Sequence, residues 1–132
     1  MNYKFTVNKI PVTKKNHSQI VYNKTNKRYF LIPSASYKDY EKTALETLRL
    51  QALEQELATP IEEPCEVRCI FYMPTRRRVD LTNLLGAIDD VLVKCGVLAD
   101  DNCKVLVSHD GSRVKYDKEK PRTEITITEV EE

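Results

Sequence analysis

Tyr3, Phe5 and Val7 alternate with polar residues, the period-two signature of a half-buried strand, which predicts a strand reaching Ile10 with Pro11 as its stop. Two further β-prone runs, QIVY and RYFLI, flank NKTNK and predict a hairpin with Lys24, Lys27 and Arg28 at its tip. Ser34 or Ser36 then caps a helix to about Ala58, in which Ala44, Leu45, Leu48, Ala52 and Leu53 recur at helical spacing. Pro60 and Pro64 bracket a linker. Beyond it Cys65, Val67, Cys69, Phe71 and Met73 alternate with polar residues, predicting a strand closed by Pro74. A second helix is predicted from Asp80 to Lys94, where Leu81, Leu84, Leu85, Ile88, Val91 and Leu92 form one apolar stripe before Gly96 stops it. The Asp-Gly of SHDGSR marks a turn between two β-prone runs, and TEITITE reads as a terminal strand. The pattern as a whole predicts a single α+β domain over residues 1–132, with a mixed sheet of about five strands and two main helices packed on it.

Composition narrows the picture. A chain of 132 residues, 41% hydrophobic and 31% charged, suits one ordinary domain. No apolar run approaches the roughly 18 to 20 residues that span a bilayer, and MNYKFTVNKI lacks the apolar block of a signal peptide. The expectation is a cytoplasmic protein with no membrane partner. Cys65, Cys69, Cys95 and Cys103 lack zinc-site spacing and read as buried reduced thiols. The net charge of +1 hides an asymmetry: residues 1–50 hold ten Lys/Arg against three Asp/Glu, and the remainder eleven against seventeen. A basic N-terminal third that includes Lys14 and Lys15 suits a nucleic-acid surface.

The chemistry concentrates in RRRVDLTNLLGAIDDVLVKCGVLADDNCKV, residues 76–105, where three arginines precede five aspartates. Arg76, Arg77 and Arg78 suit a phosphate backbone through paired donors, and clustered carboxylates suit a hard divalent ion. At about 100° per residue, Asp80, Asn83, Ala87, Asp90 and Lys94 share one flank of the helix, while Asp89 falls on the solvent side. Asp80 and Asp90 lie roughly 15 Å apart along the axis, too far for one ion to join them. A chain reversal at Val97-Leu98 would return Asp100 and Asp101 to Asp80 and make a metal pocket; the competing reading is a helix cap at Asp80 and an ordinary Asp-Asp-Asn turn. His109 reads as a surface turn residue without a role, and Tyr22, Tyr29, Tyr37 and Tyr40 as core or as base-stacking residues.

RRRVDLTNLLGAIDDVL followed by GVLADDNCKV resembles the signature of the RusA family of Holliday junction resolvases, closely over residues 76–105 and by order and spacing over nearly the full chain. The resemblance implies an intertwined homodimer that nicks four-way DNA junctions symmetrically in recombination and repair, in a host or prophage setting. It implies dependence on Mg²⁺, with Mn²⁺ as a substitute. The matching positions for catalytic and metal-coordinating aspartates are Asp80 and Asp101, joined by Asp100, with Asn83, Asp90 and Thr82 in support. Two departures stand out: Thr82 replaces the second Asp of D-L-D-N, and Gly86 replaces a lysine one turn into the helix. They leave a second expectation open, a junction-binding protein that no longer cleaves.

Overall fold

The computed structural model describes residues 2–12 and 18–130. Lys14 and Lys15 lie outside the described residues. The elements are β1 (Asn2–Val7), β2 (Ser18–Asn23), β3 (Arg28–Pro33), α1 (Ala35–Glu54), β4 (Cys65–Met73), α2 (Leu81–Lys94), β5 (Leu106–Ser108), β6 (Arg113–Tyr116) and β7 (Arg122–Glu129). The α+β class and the two helices agree with the sequence pattern. The boundaries differ where no periodicity fixes them: β1 stops at Val7, not Ile10, and α1 ends at Glu54, not Ala58.

The main sheet has five strands in the order β1-β7-β4, with β5 and β6 end to end along the other flank of β4. β7 is antiparallel to both β1 and β4, while β5 and β6 run parallel to β4. The Asp-Gly turn does form, closed by Ser112 N–H donating to His109 O at 3.0 Å, but it makes no hairpin. It joins two strand segments that continue in one direction along β4. Hairpin turns are read from two residues, whereas strand direction is set by the partner, here a strand some 40 residues away. β2 and β3 pair with each other as a separate two-stranded sheet.

Both helices cover one face of the main sheet. Inward-facing Tyr3, Phe5, Val7, Cys65, Val67, Cys69, Phe71, Ile125 and Ile127 form one core with Tyr40, Ala44 and Leu48 of α1 and Leu84, Ile88, Val91 and Leu92 of α2. Burial holds the Cys65 thiol up at about 11 and pushes Cys69 higher still. Cys95 is half-buried and Cys103 exposed, so the expectation of buried thiols fails at Cys103, which sits on the turn before β5 and not in the sheet. Helix α1 is also tied to β1 through two glutamines one turn apart. Gln51 accepts from Thr6 N–H and donates to Thr6 O, and Gln55 does the same with Lys4, all between 2.8 and 2.9 Å.

Parallel strands need a crossover, and α2 provides it between β4 and β5. The helix therefore starts at the end of the sheet where β4 finishes and ends where β4 begins. The Ile61–Leu98 bridge and the Cys65–Leu106 pairing mark that second end.

Candidate active site

Asp80 is the N-cap of α2. Its Oδ1 accepts from Thr82 N–H at 3.0 Å and Asn83 N–H at 3.4 Å, satisfying two amides that have no helical partner. Gly96, at φ 84°, takes the left-handed conformation that ends the helix. A cleft of about 510 Å³ opens at the capped end, lined by Arg77, Arg78, Asp80 and Asn83 on one side and by Ile10, Pro11, Val12 and Met73 on the other. Arg76 turns aside from it and stacks over the Tyr116 ring, 4.2 Å from its centroid. The three arginines thus straddle the cleft mouth and the end of β6.

Asp100 and Asp101 occupy the turn after α2. Asp100 accepts from Asp101 N–H at 2.7 Å and from Asn102 Nδ2 at 3.0 Å, and these donors hold its carboxyl below the usual range. Asp101 is shifted the other way, upward, by burial first and then by its Asp100 neighbour, with the charge of Asp89 adding to the effect. The pair is thus an acidic station whose two carboxyls are shifted in opposite directions.

The link from Asp101 to Asp89 corrects two sequence expectations. Asp89 does not face solvent: its side chain is 15% exposed, and Oδ2 meets His109 Nε2 at 2.9 Å. His109 is not a free turn residue, since its Nδ1 meets Val67 O at 2.8 Å. Both ring nitrogens face acceptors, which only the doubly protonated imidazolium satisfies. The Asp89 carboxylate accordingly raises the His109 pKa, its hydrogen bond outweighing the opposing effect of burial. The apolar stripe alone could not show this, because the crossing between β5 and β6 covers the flank of α2 that carries Asp89. A signal was present: Asp89 stands at i+4 from Leu85 and i−3 from Leu92, on the border of the stripe.

Asp90, on the other flank, is exposed; burial first, then the hydrogen bond and charge of Glu41, raise the pKa of Tyr37 on α1, with the charge of Asp90 adding to them. Lys94 on the same flank pairs with Glu41 at 2.7 Å. Thr82 is exposed and Asn83 half-buried in the first turn of α2, and Gly86 is exposed with open space where a Cβ would stand. Helix α2 spans roughly 21 Å at 1.5 Å per residue. The crossover therefore separates the Asp80 cleft from the Asp100–Asp101 turn, whose electrostatic partner is Asp89, instead of closing them into one pocket. Among the described residues, no three His, Cys, Asp or Glu side chains converge to hold a metal ion.

In the separate hairpin Lys24, Lys27 and Arg28 are exposed, as expected of a tip, and Lys27 has φ 55°. Tyr22 and Tyr29, an opposed pair with ring centroids 4.9 Å apart, are 46% and 75% exposed, whereas Tyr37 and Tyr40 are buried. The tyrosines thus divide into two classes. No helix of the described residues is long and apolar enough to cross a membrane.

Comparison with known proteins completes the picture. No curated protein matches this chain. The family model described as endodeoxyribonuclease RusA matches residues 10–128, from the wall of the Asp80 cleft to the end of β7. An arginine-lined cleft, an acidic turn and a match over nine-tenths of the chain lead to one conclusion: this protein belongs to the RusA family of endodeoxyribonucleases and is a DNA-cleaving hydrolase.

Proposed function

We propose that the chain acts as a homodimeric, Mg²⁺-dependent resolvase of four-way DNA junctions in the cytoplasm, nicking two strands symmetrically with one site per subunit. The cleft at the start of α2 carries the reading, because Arg77, Arg78, Asp80 and Asn83 share it at the junction of strand and helix. Arginine forks bind phosphate oxygens through paired donors, and the amino end of a helix adds a partial positive charge. Arg76, Arg77 and Arg78 grip the backbone, with the exposed Lys24, Lys27 and Arg28 of the hairpin as a second contact.

The carboxylates suit a hard divalent ion. Asp80 keeps Oδ2 free of the cap, and Asp100 and Asp101 place two adjacent carboxyls on one turn. Asp80 would hold the ion in the cleft, and Asp101 and Asp100, beyond the other end of α2, would form a second acidic station for a cation. A bound Mg²⁺ or Mn²⁺ supplies acidification of water and stabilisation of the departing oxygen. The chain itself orients the phosphate through its arginines and supplies acceptors for the proton of the attacking water. Asn83 and Thr82 offer the cleft an amide and a hydroxyl.

The test uses labelled four-way junction and linear duplex, each with Mg²⁺ or EDTA, and the variants Asp80→Asn and Asp101→Asn. Paired nicks in the junction alone, lost with EDTA and in both variants, are the expected result. Junction binding without metal-dependent nicking would refute it in favour of a second reading, a silent junction binder. The exposed hydroxyl of Thr82 and the bare Gly86, in place of a carboxylate and a lysine, favour that alternative.

A further inference from the structure

We propose that the helix-free face of the main sheet is a second DNA surface, which binds the phosphate backbone of a duplex arm leaving the cleft. The inference rests on the DNA-cleaving reading above and adds to it a surface outside the cleft. The register of the sheet fixes what that face carries. Across β6, β4 and β7, one row holds Lys115, Tyr72 and Arg122; the next, extending to β1, holds Arg113, Ile70, Glu124 and Thr6. Then come Arg68, Thr126 and Lys4, and finally Glu66, Thr128 and Asn2. These rows place five cations against two carboxylates on one side of the sheet, none of whose positions joins the core beneath the helices.

The cations are arranged for contact. Arg122 lies over the Tyr72 ring at 3.8 Å from its centroid, and Lys115 over the same ring at 6.0 Å. Arg122 is held by Glu124 and Asp117 at 2.7 and 2.9 Å, whereas Lys4, Arg68, Arg113 and Lys115 form no ion pair among the described residues and are exposed. Ile70 is 6% exposed although no helix covers it, so the stems of its basic and aromatic neighbours shield it. The face therefore offers donors over a sealed floor and lacks the exposed apolar patch that a protein partner would bury. A second copy docked face to face would set like charges against each other, which costs affinity. A phosphate backbone meets the same surface with opposite charge.

The surface ends beside the cleft: β4 leads from it into the arginine loop, and Tyr116, which follows Lys115 and shares the helix side of the sheet with Met73, carries Arg76 on its ring. β4 spans roughly 30 Å at 3.3 Å per residue, the length of about nine base pairs at 3.4 Å each.

The experiment compares the wild-type chain with a triple variant, Arg68→Gln, Arg113→Gln and Lys115→Gln, and with a matched control, Lys38→Gln, Lys42→Gln and Lys104→Gln. Binding to a four-way junction is measured by fluorescence anisotropy from 50 to 200 mM salt, with arms of about 20 or about 5 base pairs, and thermal melting checks the fold. With long arms the triple variant is expected to bind at least tenfold more weakly at 100 mM salt, and the slope of log K against log salt should shrink by roughly 2 to 3. The control should match wild type, and the short-armed junction should bind both alike. An unchanged slope in a folded triple variant overturns the inference while leaving the nuclease reading intact. A change of sedimentation without a change of slope overturns it in favour of self-association. Failure of the wild-type chain to bind any DNA refutes the nuclease reading first, and this surface with it.

Discussion

His109→Ala isolates the buried pair that joins the β5–β6 crossing to α2. The substitution removes the Asp89 partner at 2.9 Å and the Val67 partner at 2.8 Å together. It leaves Asp89 as a nearly buried carboxylate whose Oδ1 already has no hydrogen-bond partner among the described residues. Breaking a buried pair on one side costs about 3–5 kcal/mol. Exposures of 24% and 15% admit some water, which brings this to about 2 kcal/mol, and the orphaned Val67 carbonyl adds about 1 kcal/mol. For 132 residues at about 2.1 cal/mol/K each, a loss of about 3 kcal/mol lowers Tm by about 10 °C. Adding Asp89→Asn removes the stranded charge and should restore about half the loss. The pH dependence has a definite sign, because the folded chain holds the His109 proton more tightly than the unfolded one. The stabilisation is fully present below the unfolded value of about 6.5 and is lost as pH rises through the higher folded pKa. Thermal melts across pH 5.5 to 8.5, with ring-nitrogen NMR of His109, test both points. A cost under about 0.5 kcal/mol, or no recovery in the double variant, would show that the pair does not carry this charge.

Substitutions at three other positions probe α2 itself. Asp80→Ala should abolish cleavage and also cost about 1 kcal/mol by removing the cap, whereas Asp80→Asn should abolish cleavage with stability kept; parallel urea melts and nicking assays separate the two roles. Gly86→Ala should stabilise by about 1 kcal/mol, since its Cβ meets nothing within 4 Å; a lower urea midpoint would show that the glycine serves a purpose. Thr82→Asp should tighten Mg²⁺ binding at least tenfold by calorimetry, and an unchanged affinity would place the ion away from the first turn of α2.

Some of this architecture was plain in the amino-acid order because local rules decide it. Alternation from Cys65 to Met73, broken only at Ile70, and the stripe from Leu84 to Leu92 each bury one face, and Asp80 and Gly96 sit where cap chemistry requires them. The basic run beside a helix start was equally readable, and Arg77 and Arg78 line the cleft there. What stayed hidden depends on contacts across the crossover. Whether Asp-Gly ends a hairpin or joins two parallel segments is decided by β4, and whether Asp89 meets water or His109 is decided by where that segment crosses α2. The grouping of Asp101 with Asp89 follows from the same crossing and has no local signature.

The paired glutamines of α1 set how copies of this chain can meet. Gln51 and Gln55 take the donors and acceptors that β1 would otherwise present along its outer rim, acting as a surrogate strand made of side chains. The opposite rim is broken between Ser108 and Arg113 by the turn at His109. The main sheet is thus closed to growth by strand addition on the β1 side and interrupted on the other, which guards a strand-rich chain against edge-to-edge aggregation. Two copies of the chain do not extend the five-stranded sheet through the β1 rim, so each copy keeps that edge to itself.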